Sequence, residues 1–524
     1  MSRTRYILSV DLGSGGPKVA IVSEHGDVIA NVKRTNSLYF VGEEGVEQEP
    51  EEWWASIKDG ARELLSRNLV PVDDIIAIAV AGQWGVTVPV DRSGKPLMRA
   101  IHWTDHRGGA YSAKLMDGLI KIAGCDVFKL WRWVSISSGA PLPSGADALS
   151  NLLLIKNEFP KIYEEAYCFL EPFDYLNYRL TGRMACSYAS IFPYMIADTR
   201  DCSNVKYSDL LLKAAGIDRS KLPELVPVDT VLGPILPEIA AEWGLSPKTQ
   251  VMVGAGDSHT SILGSGAVKV GQPHMCIGTS SWITCLLPRR RFDLLHGLTS
   301  MPSVVPGYNM LVAEQGPAGK VLELFVEQWF SEASTHASSS SDERYLQLLA
   351  AAESTPPGSN GVRFLPWLNG SGPPNEDGKM RGGFLNLSLK SRPPDAVRAV
   401  MEGVGFNLRW LATYVEKITE KPLTEMNFIG GGARSPIWCQ ILADVLGKKI
   451  HQVADPHYAI VRGVALSALV GLKLIRIEDI PSRVRMERTF LPDPGNQKIY
   501  DELFGEFLRM YKATRPLFHR WQRG

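Results

Sequence analysis

The chain has 524 residues, 45% hydrophobic and 21% charged, which is enough to bury large cores and too long for one ordinary domain, so two or three domains are expected. Basic and acidic residues balance at 56 each; this excludes a global attraction to nucleic acid or anionic membrane, and any anion must be held by a local device. The seven cysteines are scattered without CxxC or Cys/His ligand spacing, which argues against a disulfide framework or a zinc site and for reduced thiols in a cytoplasmic protein.

Tyr6 to Val10 reads as a buried strand, too short for a secretory signal, and no run reaches the roughly 18 apolar residues that span a bilayer. Asp11-Leu-Gly13-Ser14-Gly15-Gly16-Pro17-Lys18 turns that strand back into Val19 to Val22, and His25-Gly26-Asp27 turns again into Val28 to Val32. Two hairpins in succession therefore open the chain. The pattern GxxxxGK[ST] is absent, so the Gly-rich turn is not a P-loop. It is either a plain hairpin turn or a phosphate cradle, in which Gly13, Ser14 and Gly15 supply N–H groups and a hydroxyl, Asp11 holds magnesium through water and Lys18 adds charge.

Gly45 to Trp54 reads as a loop entering a helix with Pro50 in its first turn and acids at its positive end. The strand Ile75 to Ala81 ends in Gly82-Gln83-Trp84-Gly85, an amide and an indole that suit a polyhydroxy ligand. In Trp103-Thr-Asp105-His-Arg107 the three alternating side chains point the same way if the segment is extended. A surface salt bridge beside a packed Trp is the alternative.

After a mixed section from about 110 to 250, Val251-Met-Val253 delivers Gly254-Ala-Gly-Asp257-Ser-His-Thr260 to the mouth of a helix. A carboxylate there is an N-cap or a catalytic group. Pro273 to Ile277, the turn Gly278-Thr279-Ser280-Ser281 and Trp282 to Leu286 repeat the plan of residues 6 to 22, so internal duplication is expected, with one phosphate turn in each half. Ser334 to Asp342 reads as a polar loop and Ala396 to Ile418 as a helix. Met426 to Ile429 enters Gly430-Gly431-Gly432-Ala433-Arg434-Ser435-Pro436 and then a helix from Ile437 to Leu446, an arrangement that brings backbone close to a ligand at a helix N-terminus. Tight packing could account for one of these glycines. Val461 to Val470 reads as a small-residue helix and 496 to 524 as a helical tail.

In this order, Asp11 to Lys18, Glu47-Gln-Glu-Pro50, Gly82-Gln83, Trp103 to Arg107, Asp174-Tyr-Leu, Gly254 to Asp257, Gly278 to Ser280 and Gly430 to Ser435 with Trp438 resemble the motifs of the FGGY carbohydrate kinases, most of all the xylulokinase-type members. The resemblance spans residues 5 to 475. It implies an α/β fold of two ribonuclease-H-like domains of the actin and hexokinase type, with ATP and substrate in the cleft between them. The expected division is 1–262 for sugar and the first phosphate turn, 263–480 for ATP, and a packed helical tail over 481–524.

By the same resemblance Asp257 is the base that takes the proton from the sugar hydroxyl, and Asp11 is the magnesium-associated acid. Gly13, Ser14, Gly15, Lys18, Gly278, Thr279 and Ser280 hold phosphate, and Gly431, Gly432 and Arg434 hold adenosine. Gln83, Trp84, Trp103, Asp105 and Arg107 contact the substrate. The expected cofactors are ATP and Mg2+; the expected partner is a small sugar or polyol, with no nucleic acid or membrane partner and a homodimer left open. Closure of the cleft, rather than a large pKa shift, is expected to bring Asp257 to its task.

The sequence departs from the family pattern at Gly82-Gln83-Trp84-Gly85-Val86, where the usual His is missing, at Ser258, at Asn369 to Pro374 and at Pro17. The expected reaction is transfer to a pentulose or a related ketose or polyol. The alternative is a non-catalytic nucleotide-binding sensor or scaffold.

Overall fold

The computed structural model describes residues 3–122, 124–141, 143–329 and 349–521. The Ser-rich stretch 334–342 lies outside them.

The opening hairpins form as the turn chemistry dictates. Strands β1 (Tyr6–Gly13), β2 (Gly16–Ser23) and β3 (Val28–Lys33) pair antiparallel in sequence. Helix α1 (Pro50–Ser66) starts on a proline whose missing N–H has no partner to lose. It packs on β2 and carries the chain across to β4 (Ile75–Gly82), which runs parallel to β1. Strands β5 (Val231–Pro234) and β6 (Gln250–Met252) complete the sheet in the order β5-β6-β4-β1-β2-β3, with β6 parallel to β4. Helix α2 (Asp257–Gly264) follows. Between β4 and β5 a mostly helical region builds a core of its own, around Trp133, Leu149, Phe169 and Tyr194.

The second half repeats the plan. Strands β7 (Pro273–Ile277), β8 (Ser280–Leu287) and β9 (Asn309–Pro317) pair antiparallel. The long helix α3 (Pro393–Thr419) leads to β10 (Glu425–Ile429), parallel to β7. Helix α4 (Pro436–Leu446) leads to β11 (Lys449–Val453), parallel to β10, and helix α5 (Ala459–Gly471) closes the repeat. Strand β12 (Met486–Phe490) adds to one edge. Short strands at Leu298–Pro302 and Phe292–Asp293 extend the other edge beyond β9. Helix α6 (Pro494–Trp521) buries Tyr500, Leu503, Phe507 and Tyr511 in the core of this half.

The two halves share a core. Residues of β1, β2 and β4 cluster with Val461, Val464, Ala465 and Leu469 of α5, so the last helix of the second half packs on the first sheet. Helices α2 and α5 cross backbone to backbone. A Cβ placed on Gly264 would lie 1.7 Å from Ala459 O, and one on Gly463 would lie 2.0 Å from Thr260 O, so no larger residue fits either position at this crossing. No helix among the described residues is long and apolar enough to cross a membrane.

Candidate active site

A cleft of about 580 Å³ opens between the halves. Its floor comes from the two equivalent hairpins. The turn Ser14-Gly15 joins β1 to β2 and the turn Gly278-Thr279 joins β7 to β8, and both face the cleft. Gly431 reaches it from the other side, on the 3-10 turn Gly431–Arg434 after β10.

The glycines sort into two kinds. A Cβ on Gly15, Gly278 or Gly431 would meet no atom within 4 Å, so these residues leave open a space that a ligand backbone or phosphate could fill. Gly430 (φ +89°) would put a Cβ 2.5 Å from Ile277 O, and Gly432 would put one 2.9 Å from the Ile277 side chain. Packing thus accounts for two of the three consecutive glycines, and Gly432 does not line the cleft. Arg434 also lies off it, exposed at the end of the turn.

Asp257 occupies the first turn of α2, with Gly256 as the N-cap residue. Its Oδ1 accepts from the Ser258 N–H at 2.6 Å. The side chain is part-exposed in the cleft. Burial, then the neighbouring charges of Asp11 and Glu314, push its carboxyl up to about 8. A carboxyl shifted this far differs from the ordinary one expected from the sequence. The three acids face a common space, so repulsion among them adds to the larger effect of burial.

Asp11, at the end of β1, is buried, and burial raises its pKa while Lys18 pulls it back. The hairpin register sets Lys18 directly opposite Asp11. Lys18 Nζ donates to the His457 carbonyl of the second half at 2.8 Å. Glu314, on β9, was not singled out from sequence. It lines the cleft and accepts from Ser280 Oγ at 3.0 Å. Its carboxyl is raised by the surrounding walls although the side chain reaches solvent in the cleft.

No cluster of three or more His, Cys, Asp or Glu ligands occurs among the described residues. The donor set suits Mg2+ instead, an ion that keeps waters and takes one or two carboxylates plus phosphate oxygens. Asp11, Asp257 and Glu314 beside the open glycine turns, with Lys18 their one charged counterpart among the lining residues, form a set that such an ion and a triphosphate would fit.

The acceptor side departs from expectation. Residues 103–108 form turns rather than a strand, so alternation does not align the side chains. Trp103 faces the cleft and donates from Nε1 to Ser14 Oγ at 3.0 Å. Asp105 and Arg107 turn inward. Asp105 is wholly buried, accepts from the Val46 N–H at 2.9 Å and pairs with Arg107 at 2.7 Å; Arg107 also reaches Glu47 at 2.8 Å. Neither lines the cleft. They clamp the strand that carries Gln48 to the segment that carries Trp103.

Gln83 lines the cleft, but its amide is occupied. Its Nε2 donates to Gln48 Oε1 at 2.6 Å and its Oε1 accepts from His102 Nε2 at 2.9 Å, while Gln48 donates to the Ser14 carbonyl at 2.8 Å. Burial holds His102 down at about 4, so the ring is neutral, with its proton on Nε2. Trp84 projects into the cleft, edge-on to His259 at 5.2 Å and 6.1 Å from Phe192.

Glu171, also unforeseen, accepts from the N–H groups of Gly85 and Val86, both at 3.2 Å, and so pins the loop that presents Trp84. Burial and the adjacent Asp174 hold its carboxyl well above the usual range. An acid immediately before Pro172 at a helix start was the available cue, and it reads equally as a cap.

The profile of the FGGY family of carbohydrate kinases matches this chain with its N-terminal domain over residues 6–264 and its C-terminal domain over 274–472. The chain belongs to the FGGY family of carbohydrate kinases. It is a sugar kinase, and the two duplicated sheets with a cleft between them are the FGGY fold. Xylulose kinase from Staphylococcus epidermidis is 27% identical over 520 residues, covering 98% of this chain and 97% of that protein. Gluconokinase from Bacillus subtilis is 27% identical over 533 residues, covering 99% of each. The crystal structure of gluconate kinase from Lactobacillus acidophilus superposes with a TM-score of 0.85 at 20% identity, over 99% of this chain and all of that one, which establishes the shared fold.

Proposed function

We propose that this FGGY kinase transfers the γ-phosphoryl group of ATP to a hydroxyl of a pentulose or a related ketose or polyol, with Asp257 as the base. The observation that carries the reading is the position of Asp257 between the Gly-hydroxyl turns of the two halves, within one cleft. Relatives that act on xylulose and on gluconate support the substrate range.

Mg-ATP, when bound, supplies the phosphoryl group and neutralises charge on its oxygens. The chain's residues do the remainder. Gly15, Gly278 and Gly431 leave room for phosphates and nucleotide to approach backbone, and Asp11 is the residue that would hold the metal. Asp257, as the carboxylate, takes the proton from the attacking hydroxyl while that oxygen bonds to the γ-phosphorus and ADP leaves. Asp105 and Arg107 act as positioning residues, through the clamp on Glu47 and the Trp103 segment.

The full chain, incubated with Mg-ATP and a panel of ketoses, aldonates and polyols, is expected to release ADP with at least one acceptor. Asp257→Ala should abolish this release while calorimetry shows ATP still bound. Nucleotide binding with no phosphorylated product from any acceptor would replace this reading with the sensor.

A further inference from the structure

We propose that the acceptor of this kinase carries an apolar flank, a methyl, methylene or aryl group beside its reacting hydroxyl, in place of a hydroxyl on every carbon. This substrate class rests on the phosphotransfer reading above. A fully hydroxylated acceptor gives up several hydrogen bonds to water on entering a cleft and needs a protein partner for each.

Most of those groups already hold a protein partner. The Gln83 amide is held at both ends by Gln48 and His102. Ser14 Oγ accepts from Trp103. Asp147 accepts from Ser150 N at 2.8 Å and from Ser150 Oγ at 2.7 Å, and the Gly85 and Val86 N–H groups donate to Glu171. Beside Asp257, the remaining hydroxyl on this wall is Ser258 Oγ, 5% exposed and with no hydrogen-bond partner among the described residues. Such a group serves one or two substrate oxygens, fewer than a fully hydroxylated acceptor carries.

The surfaces that do face the cleft are apolar. Trp84, Phe192, Pro193 and Met195 line it together. Trp84 lies against the backbone just ahead of the base, since a Cβ on Gly256 would come 3.1 Å from its ring Cγ. A hydroxyl delivered to Asp257 therefore brings the neighbouring carbons of the acceptor against an indole, which favours C–H and aryl groups over hydroxyls. Glu171 fixes the loop that makes this surface.

The test compares kcat/KM of the full chain with Mg-ATP across matched pairs: D-xylulose against 1-deoxy-D-xylulose, and glycerol against 3-phenoxypropane-1,2-diol. The apolar member of each pair is expected to be the better acceptor by about tenfold or more, the effect of one hydroxyl buried without a partner. Trp84→Gln should lower the apolar-to-hydroxylated ratio of kcat/KM within each pair about tenfold. If Trp84→Gln fails to fold, the comparison on the unaltered chain stands alone. Hydroxylated acceptors used as well as or better than their apolar partners would overturn the inference and leave phosphotransfer standing. No phosphorylation of any acceptor, in pairs or panel, would overturn both.

Discussion

Replacing Asp257 by Asn should make the protein more stable while destroying its activity, and the stability gain should grow with pH. In the unfolded chain the carboxyl titrates at its ordinary value of 3.8, whereas in the fold it is pushed up to about 8. Between those values the folded state binds more protons than the unfolded state, so the stability associated with this group is fully present below pH 3.8 and is lost as pH rises towards 8. From 3.8 to pH 7, at about 1.36 kcal/mol per pH unit, the loss amounts to about 4 kcal/mol. Asp257 is part-exposed, and solvent screening reduces this to about 2 kcal/mol. Asparagine keeps the oxygen that accepts from Ser258 N–H and does not titrate. Asp257→Asn is therefore expected to exceed the parent by about 2 kcal/mol at pH 7, to match it near pH 4, and to raise Tm by roughly 2–4 °C at neutral pH. Urea and thermal melts of both proteins at several pH values between 4 and 8.5, with ADP release measured in parallel, provide the check. A stability difference independent of pH would refute the reasoning about repulsion among the acids, and retained turnover would remove Asp257 as the base.

Glu314→Gln removes one source of that repulsion, so the rising limb of kcat/KM against pH should move to lower pH by about half a unit to one unit; an unmoved limb would show that the Glu314 charge does not reach Asp257. Gly431→Ala should weaken ATP binding by calorimetry with little change in Tm, because the methyl group enters open cleft, while Gly432→Ala should cost about 1–3 kcal/mol in denaturant melts because it meets Ile277. Glu171→Ala leaves two buried N–H groups without an acceptor and should raise the acceptor KM about tenfold while sparing that for ATP; Glu171→Gln, which retains one acceptor oxygen, should recover part of the loss. Arg107→Met strands the buried Asp105 charge and should destabilise by about 3–5 kcal/mol in the same melts.

The parts of this molecule that were legible in the sequence are those in which local chemistry dictates local geometry. Gly–hydroxyl turns between apolar runs gave both hairpins, and their similarity implied the duplication that the sheet orders repeat. Pro50 marked the start of the helix Pro50–Ser66, and the helix expected from Ile437 begins one residue earlier, at Pro436. Side-chain direction was less accessible. Alternation from Trp103 to Arg107 predicts a shared face only in a strand, and the segment folds as turns, which sends Trp103 to the cleft and Arg107 to a buried carboxylate. Gln83 faces the cleft as expected, yet its hydrogen bonds go to Gln48 and His102, residues 35 and 19 positions away. Glu314 gives no local sign at all, because only the pairing of β9 with β8 sets it beside Ser280. Three consecutive glycines announced a close approach of backbone to something; which of them faces a ligand depends on the position of Ile277 in another strand.

The same pairing of halves explains why Asp257 stands where it does. In each half the last of the parallel strands, β6 or β11, leads to a helix that crosses its counterpart at Gly264 and Gly463. Each strand-to-helix junction is thereby carried towards the first hairpin of the other half. The two junctions are used differently. One, ahead of α5, offers a carbonyl, that of His457, to Lys18 of the first hairpin. The other, ahead of α2, offers Asp257 to the cleft beside the Gly278 turn and Cys276, whose thiol the Asp257 charge helps to raise. Symmetry brings both junctions to the seam, where one presents a carbonyl contact and the other an acid. The backbone crossing of α2 and α5 at Gly264 and Gly463 sets the position of that acid relative to both hairpins. Any larger residue at Gly264 or Gly463 would separate the helices and displace Asp257 from both turns at once.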